Sequence, residues 1–166
     1  MARSITDRMM GAATLDVATY EEVEADTTAT GQAAVVVVIA AVASAIGAMG
    51  RGGPGIITML IGTLLGWAIW SWITYFIGTR FFGGTATWGE LARTIGFAQT
   101  PRILLVLAII PVLGGLVSIA VAIWLLIAGI VAIRQALDVT TGKAVLTAII
   151  GWIVAIIPMA LLGAIL

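Results

Sequence analysis

The sequence predicts an all-α integral membrane protein with five transmembrane helices and a short N-terminal interfacial helix. Three observations carry this expectation. Of 166 residues, 61% are hydrophobic and only 10% charged, with mean hydropathy +1.19, whereas a soluble domain carries about 25% charged residues. From Gly31 to Leu166 the charged side chains are only Arg51, Arg80, Glu90, Arg93, Arg102, Arg134, Asp138 and Lys143. The apolar segments between them are of the length a bilayer core of about 30 Å demands of a helix.

Residues 1–30 form a cytoplasmic arm, the one soluble-looking part of the chain. Thr19-Tyr20-Glu21-Glu22 has the Thr-x-x-Glu form of a capping box, which predicts a short helix starting there. Ile5, Met9, Met10, Leu15, Tyr20 and Val23 are its apolar contacts, too sparse for an independent domain. The arm therefore lies at the membrane interface or folds against the helix ends. The acidic flank Glu21, Glu22, Glu24 and Asp26 stands where a signal peptide would need basic residues, which argues against a cleavable one.

The five-helix domain occupies 31–166. Its first span covers roughly 31–49, with Ala40, Ser44 and Ala48 repeating small residues at every fourth position. Gly50-Arg51-Gly52-Gly53-Pro54-Gly55 cannot continue a helix and makes a tight turn. The second span covers roughly 56–78, followed by a polar, glycine-containing stretch to Trp88. Residues 103–133 are apolar except for small residues; as one helix they would reach roughly 46 Å at about 1.5 Å per residue, too long for a single crossing. Pro111-Val112-Leu113-Gly114-Gly115 divides them. A third span then covers roughly 91–110, with Arg93, Gln99, Thr100 and Arg102 in its first half. The fourth covers roughly 116–133 and the last 144–166, kinked at Pro158.

Charge decides between five spans and four. With five, Arg3, Arg8, Arg80, Arg93, Arg102, Arg134 and Lys143 gather on one side and Arg51 stands alone opposite. Four spans would carry Arg134 and Lys143 to the far side. The positive-inside rule favours five, with the N-terminus cytoplasmic and the C-terminus outside a cytoplasmic (inner) membrane. No internal repeat is evident, so an inverted-repeat transporter has no support.

Composition also bounds chemistry. The chain has no cysteine and no histidine, which removes disulfides, thiol and imidazole catalysis, and His- or Cys-ligated metals and haem. A net charge of zero offers no field for nucleic acid. The acidic arm lacks the spacing of a calcium loop and reads as a solvated face, free to meet Arg80, Arg134 or Lys143. No nucleophile–base pair or phosphate loop can be assembled. The expectation is a protein without enzymatic activity, cofactor or metal.

Two groups of residues remain. Arg80, Glu90, Arg93, Gln99, Arg102 and Arg134 form a candidate polar cluster for a lipid or a partner. Glu90 and Arg93 are three apart on a helix and able to pair, and Pro101 frees a backbone carbonyl nearby. Ionisable groups at membrane depth are costly and often functional; the alternatives are anchoring of Arg93 and Arg102 by snorkelling or at helix-end carbonyls, and a solute pathway. The second group, Gly62, Gly66, Trp67 and Trp70, is a candidate helix-packing face built on a GxxxG motif. Trp67 and Trp70 share that face with Thr63 and Thr74, so it packs on another helix or on lipid. Trp88 stands where an interfacial anchor is expected.

In their order along the chain, several stretches resemble the Yip family of membrane proteins, named for interaction with Ypt/Rab small GTPases, in its prokaryotic form. They are Tyr20-Glu-Glu-Val-Glu-Ala-Asp26, Phe82-Gly-Gly-Thr-Ala-Thr-Trp-Gly-Glu-Leu-Ala-Arg93, Thr94-Ile-Gly-Phe-Ala-Gln-Thr-Pro101, Ile109-Ile-Pro-Val-Leu-Gly114, and Trp124 to Gly142. Coverage is nearly the whole chain, and specificity lies in the order and spacing of short motifs. The resemblance implies a five-helix bundle with a cytoplasmic N-terminus. Eukaryotic relatives act in vesicle traffic, binding prenylated GTPases and shaping membranes, but an arm of about 30 residues leaves little surface for a GTPase.

The expected function is a structural, adaptor or membrane-organising component, such as an accessory subunit of a larger membrane complex. Membrane lipids and protein partners within the membrane are the expected partners, in a homo-oligomer or a larger complex, with no nucleic acid. The alternative is a small-solute transporter or lipid-handling protein using the polar face of the third span. A water-filled cavity reaching Arg102 favours the alternative; Arg102 buried against carbonyls, or at a subunit contact, disfavours it.

Overall fold

A computed structural model describes residues 3–49, 52–53 and 55–165, with side chains at all of these except 157–159 and 161–165. Arg51 and the Gly50 and Pro54 parts of the expected turn lie outside the described residues, as does the side chain of Pro158. The described chain is helical throughout: α1 (Ile5–Ala13), α2 (Val17–Ala25), α3 (Ala29–Ala48), α4 (Ile56–Phe81), α5 (Trp88–Phe97), a 3-10 segment (Thr100–Ile109), α6 (Pro111–Leu137) and α7 (Thr141–Ile165). By length and apolarity α3, α4 and α6 are able to cross a membrane.

The arm is two helices rather than one. Ser4 caps α1 reciprocally: its hydroxyl accepts from the Asp7 N–H, and the Asp7 carboxylate accepts from the Ser4 N–H. The second helix begins earlier than the Thr19-x-x-Glu22 pattern predicts, because Asp16 takes the cap and accepts from the Thr19 N–H. A nearer cap outcompetes a matching motif, since either satisfies the same orphan amides. Leu15 turns the chain between them at φ 63°, and the Tyr20 hydroxyl donates to the Ala12 carbonyl to close the hairpin. The hairpin folds against the helix bundle: Ala12, Tyr20 and Val23 are fully buried, and the Trp124 indole of α6 donates to the Ala13 carbonyl.

The expected third span is broken. Thr87 and Glu90 form the capping box that opens α5, which ends at Ala98. Pro101 has no N–H to continue the ladder, and the Thr100 hydroxyl donates instead to the Phe97 carbonyl at 2.7 Å. Beyond it the chain runs ten residues as a 3-10 helix, a form usually confined to three or four. Gly96 lies against Ala33, and Gly47 against the Leu105 carbonyl and Ala108. The broken segment therefore runs parallel to α3. About 21 Å of α3 is matched by about ten residues of its neighbour, because a 3-10 helix rises about 2 Å per residue against 1.5 Å. Every residue from Leu91 to Ala98 is buried.

Close approach through small residues sets the other directions. Gly78 of α4 meets Leu137 of α6, and Trp70 meets Gly129 eight residues back along each helix, so α4 and α6 run parallel. Gly151 of α7 sits beside Trp70, Ile73 and Thr74, while the Lys143 ammonium donates to the Phe82 carbonyl, so α7 runs antiparallel to α4. Direct α4–α6 contact is sparse compared with the packing of each on α7, and a gap opens between them. The break expected at Pro111 is present, with the proline as the first residue of α6.

Replacing Gly47 by alanine drives a methyl group into the Leu105 carbonyl and should lower the stability of the detergent-solubilised protein by about 1–3 kcal/mol. Gly31, whose Cβ would meet nothing, should gain about 0.5–1 kcal/mol from the same change, because glycine weakens a helix interior. Thermal unfolding of the two variants distinguishes them by opposite shifts.

Candidate functional site

The gap between α4 and α6 is a cleft of about 1150 Å³, partly open and closed at one side by α7 and at its end by the α5–3-10 junction. It brings together two groups that lie far apart in sequence. Gly62, Gly66, Trp67 and Trp70 of α4 line one wall, and Gln99 and Arg102 reach it from the junction. Ile95 and Ala98 of α5 line it too, and with Gln99 and Arg102 they hold the i, i+3, i+4 and i+7 positions of one helical face. Gly62 and Gly66, expected in a helix-packing face, line the cleft.

Hydrogen bonding in the cleft is incomplete. The Trp67 indole donates to the Ala92 carbonyl at 2.9 Å. By contrast the Trp70 indole N–H, the Gln99 carbonyl oxygen and the Arg102 Nε are buried without a partner. Buried polar atoms are nearly always satisfied, so three in one lining mark the place where the bundle is unfinished. Thr63 lines the cleft beside Trp67 and Trp70; Thr74 does not, and its hydroxyl is satisfied by the Trp70 carbonyl.

The other expected site residues lie elsewhere. The predicted Glu90–Arg93 pair is not formed. The Glu90 carboxylate accepts from the Thr87 N–H in the α5 cap, and Arg93 points the opposite way, donating through Nε to the Val23 carbonyl at 2.9 Å and through a terminal nitrogen to the Glu24 carbonyl. Arg93 thus caps the C-terminal end of α2, where unpaired carbonyls favour a cation. Arg80 and Arg134 occupy the last turns of α4 and α6 and take no part in the cleft lining. The acidic arm does not reach Arg80, Arg134 or Lys143: Glu22 and Asp26 turn inward to Arg8, and Glu21 accepts from the Gln135 amide.

Sequence reasoning missed Arg8 altogether. Its guanidinium holds Glu22 at 2.9 Å and Asp26 at 2.6 Å, and donates to the Gln32 amide oxygen at the start of α3. A signal was present, since Arg8 falls in the same helical stripe as Ile5, Met9 and Ala12. Burial opposes its charge, but the bonds to Asp26 and Glu22 outweigh that and raise its pKa further. The Asp26 carboxylate, bonded by Thr28 and then Arg8, is held down at about 2. Glu24 moves the other way: burial, with Glu21, Asp138 and Glu90 nearby, pushes its carboxyl up to about 7 despite Arg93.

Apolar helices of spanning length, packed around a buried, broken segment, define a polytopic helical membrane protein. Residues 16–162 match the model of the Yip1 domain family, and the chain belongs to that family. Among curated proteins and among solved structures, none matches it.

Two outcomes follow from the arm. Arg8 is 1% exposed and Arg3 42%, and Arg8 holds two carboxylates that are themselves about a quarter exposed, so Arg8→Ala should lower the melting temperature more than Arg3→Ala does. Arg3→Ala should cost no more than about 1 kcal/mol; unfolding curves of the two variants make the comparison. For Glu24, the folded chain keeps between pH 4.5 and about 7 a proton that the unfolded chain releases. Its contribution is therefore favourable below that window and lost as pH rises through it. Glu24→Gln should flatten the fall in melting temperature across those values.

Proposed function

We propose that this chain is a non-enzymatic, five-span protein of the cytoplasmic membrane that organises the bilayer by holding one of its amphiphilic components in the cleft. Its N-terminus lies in the cytoplasm and its C-terminus outside. The cleft carries this reading. A partly open cleft of about 1150 Å³ with three partnerless polar atoms suits an occupant from the surrounding membrane. Small-ligand sites have this make-up, mostly apolar with a few placed polar groups. The cavity reaching Arg102 is the feature that favours lipid handling over a purely structural role. The alternating helix directions and the crowding of cationic residues around one set of helix ends support five crossings.

An adaptor role, as accessory subunit of a larger membrane complex or in a homo-oligomer, is the second reading. It is favoured by the exposed face of α4, where Trp72 stacks on Phe76 at 5.7 Å and Phe76 meets Phe81 edge-on at 6.3 Å. Such an aromatic face suits a partner helix within the membrane.

The natural absence of cysteine makes topology directly measurable. Arg51→Cys should react with an impermeant maleimide added outside intact cells, and Thr140→Cys only after permeabilisation. Labelling of both from the same side would mean four crossings and would remove the proposed arrangement.

A further inference from the structure

We propose that the occupant of the cleft carries an anionic headgroup, a phospholipid phosphate, seated on Arg102 beside Gln99, with its acyl chain along the Gly62–Gly66 wall toward Trp70. This rests on the reading of the cleft as a site for a membrane amphiphile and names the chemistry that the site selects. Arginine stays protonated in any protein environment. The other buried arginines are neutralised or capped: Arg8 by two carboxylates, Arg93 by two carbonyls. Among the described residues Arg102 has neither an ion pair nor a hydrogen bond at its buried Nε. No acidic side chain lines the cleft. Arg102 is half-buried with its Nε enclosed; a cation at membrane depth is unfavourable without a counter-charge, and the cleft provides no anion of its own.

The remaining chemistry narrows the ligand. The Gln99 carbonyl oxygen, three residues from Arg102 in the same lining, is an acceptor without a partner. Together they fit a headgroup that offers anionic oxygens and a hydroxyl, as phosphatidylglycerol does. Most of the lining is apolar, from Met59 at one end of α4 to Ala155 of α7. Free phosphate would satisfy the polar corner and leave that wall empty. An acyl chain fills it, and the glycines at 62 and 66 remove the side chains that would block it.

The test uses the full chain in mild detergent, incubated with vesicles containing equal phosphatidylglycerol and phosphatidylcholine, with retained lipid read by native mass spectrometry. Loss of one charge-assisted hydrogen-bonding group corresponds to roughly tenfold in affinity. The wild type is expected to retain phosphatidylglycerol over phosphatidylcholine by about that factor, with Lys143→Gln unchanged and Arg102→Gln near parity. Gly66→Leu, which fills the groove and leaves the charge, should lose both lipids while its melting temperature shows that it is folded. Wild-type preference persisting in Arg102→Gln overturns the headgroup assignment and leaves the amphiphile reading standing. Retention of neither lipid by the wild type overturns both. Inorganic phosphate raising the melting temperature as much as phosphatidylglycerol would show a soluble anion and overturn the lipid source, as would unchanged lipid retention in Gly66→Leu.

Discussion

The break at Pro101 governs the interior of this protein. A continuous α-helix from Trp88 to Ile109 would pass through the bundle with its polar side chains spread around its circumference. Proline withholds the amide that would bond the Phe97 carbonyl, and Thr100 answers with its hydroxyl. In an apolar surrounding no water is available to do so, and every backbone polar group needs an internal partner. The chain beyond the break stretches into a 3-10 helix, which lets ten residues reach as far along α3 as about fourteen α-helical residues do. Gln99 and Arg102 stand at the junction, and the cleft begins where they stand.

Small residues hold that junction in place. Gly47 and Gly96 bring the broken segment against α3, and Gly78 brings α4 against α6. Lipid tails are as apolar as leucine, so helices in a membrane associate through close packing rather than through the hydrophobic effect. In the cleft, Gly62 and Gly66 line it together with Trp67 and Trp70.

The arm follows from electrostatics. Arg8 gathers Glu22, Asp26 and Gln32 from three separate elements, and Arg93 reaches out of α5 to the end of α2. These two cations pin the hairpin over the buried helix, which is why α5 has no exposed face between Leu91 and Ala98. Glu24 is drawn into the same region, where burial, and then three other carboxylates near it, raise its pKa.

Composition, charge spacing and proline positions determined by themselves that the chain is an all-helical membrane protein, where α3, α4 and α6 run, and that the segment ending at Ile110 is distinct from the next; the order of short motifs carried the resemblance to the family whose model matches residues 16–162. These are local or one-dimensional properties: apolar length, the lost amide of a proline, and a capping pattern such as Thr87 to Glu90. Which polar residues meet was not legible in the same way. Glu90 and Arg93 are neighbours on one helix, yet each finds a better partner elsewhere, because a backbone amide and two orphan carbonyls outbid a side chain three residues away. Gln99 and Arg102 line one cleft with Gly62, Gly66, Trp67 and Trp70 through the gap between two parallel helices. That meeting depends on how far apart α4 and α6 come to rest. Only the packing of the whole bundle decides that distance, because no local property of either helix contains it.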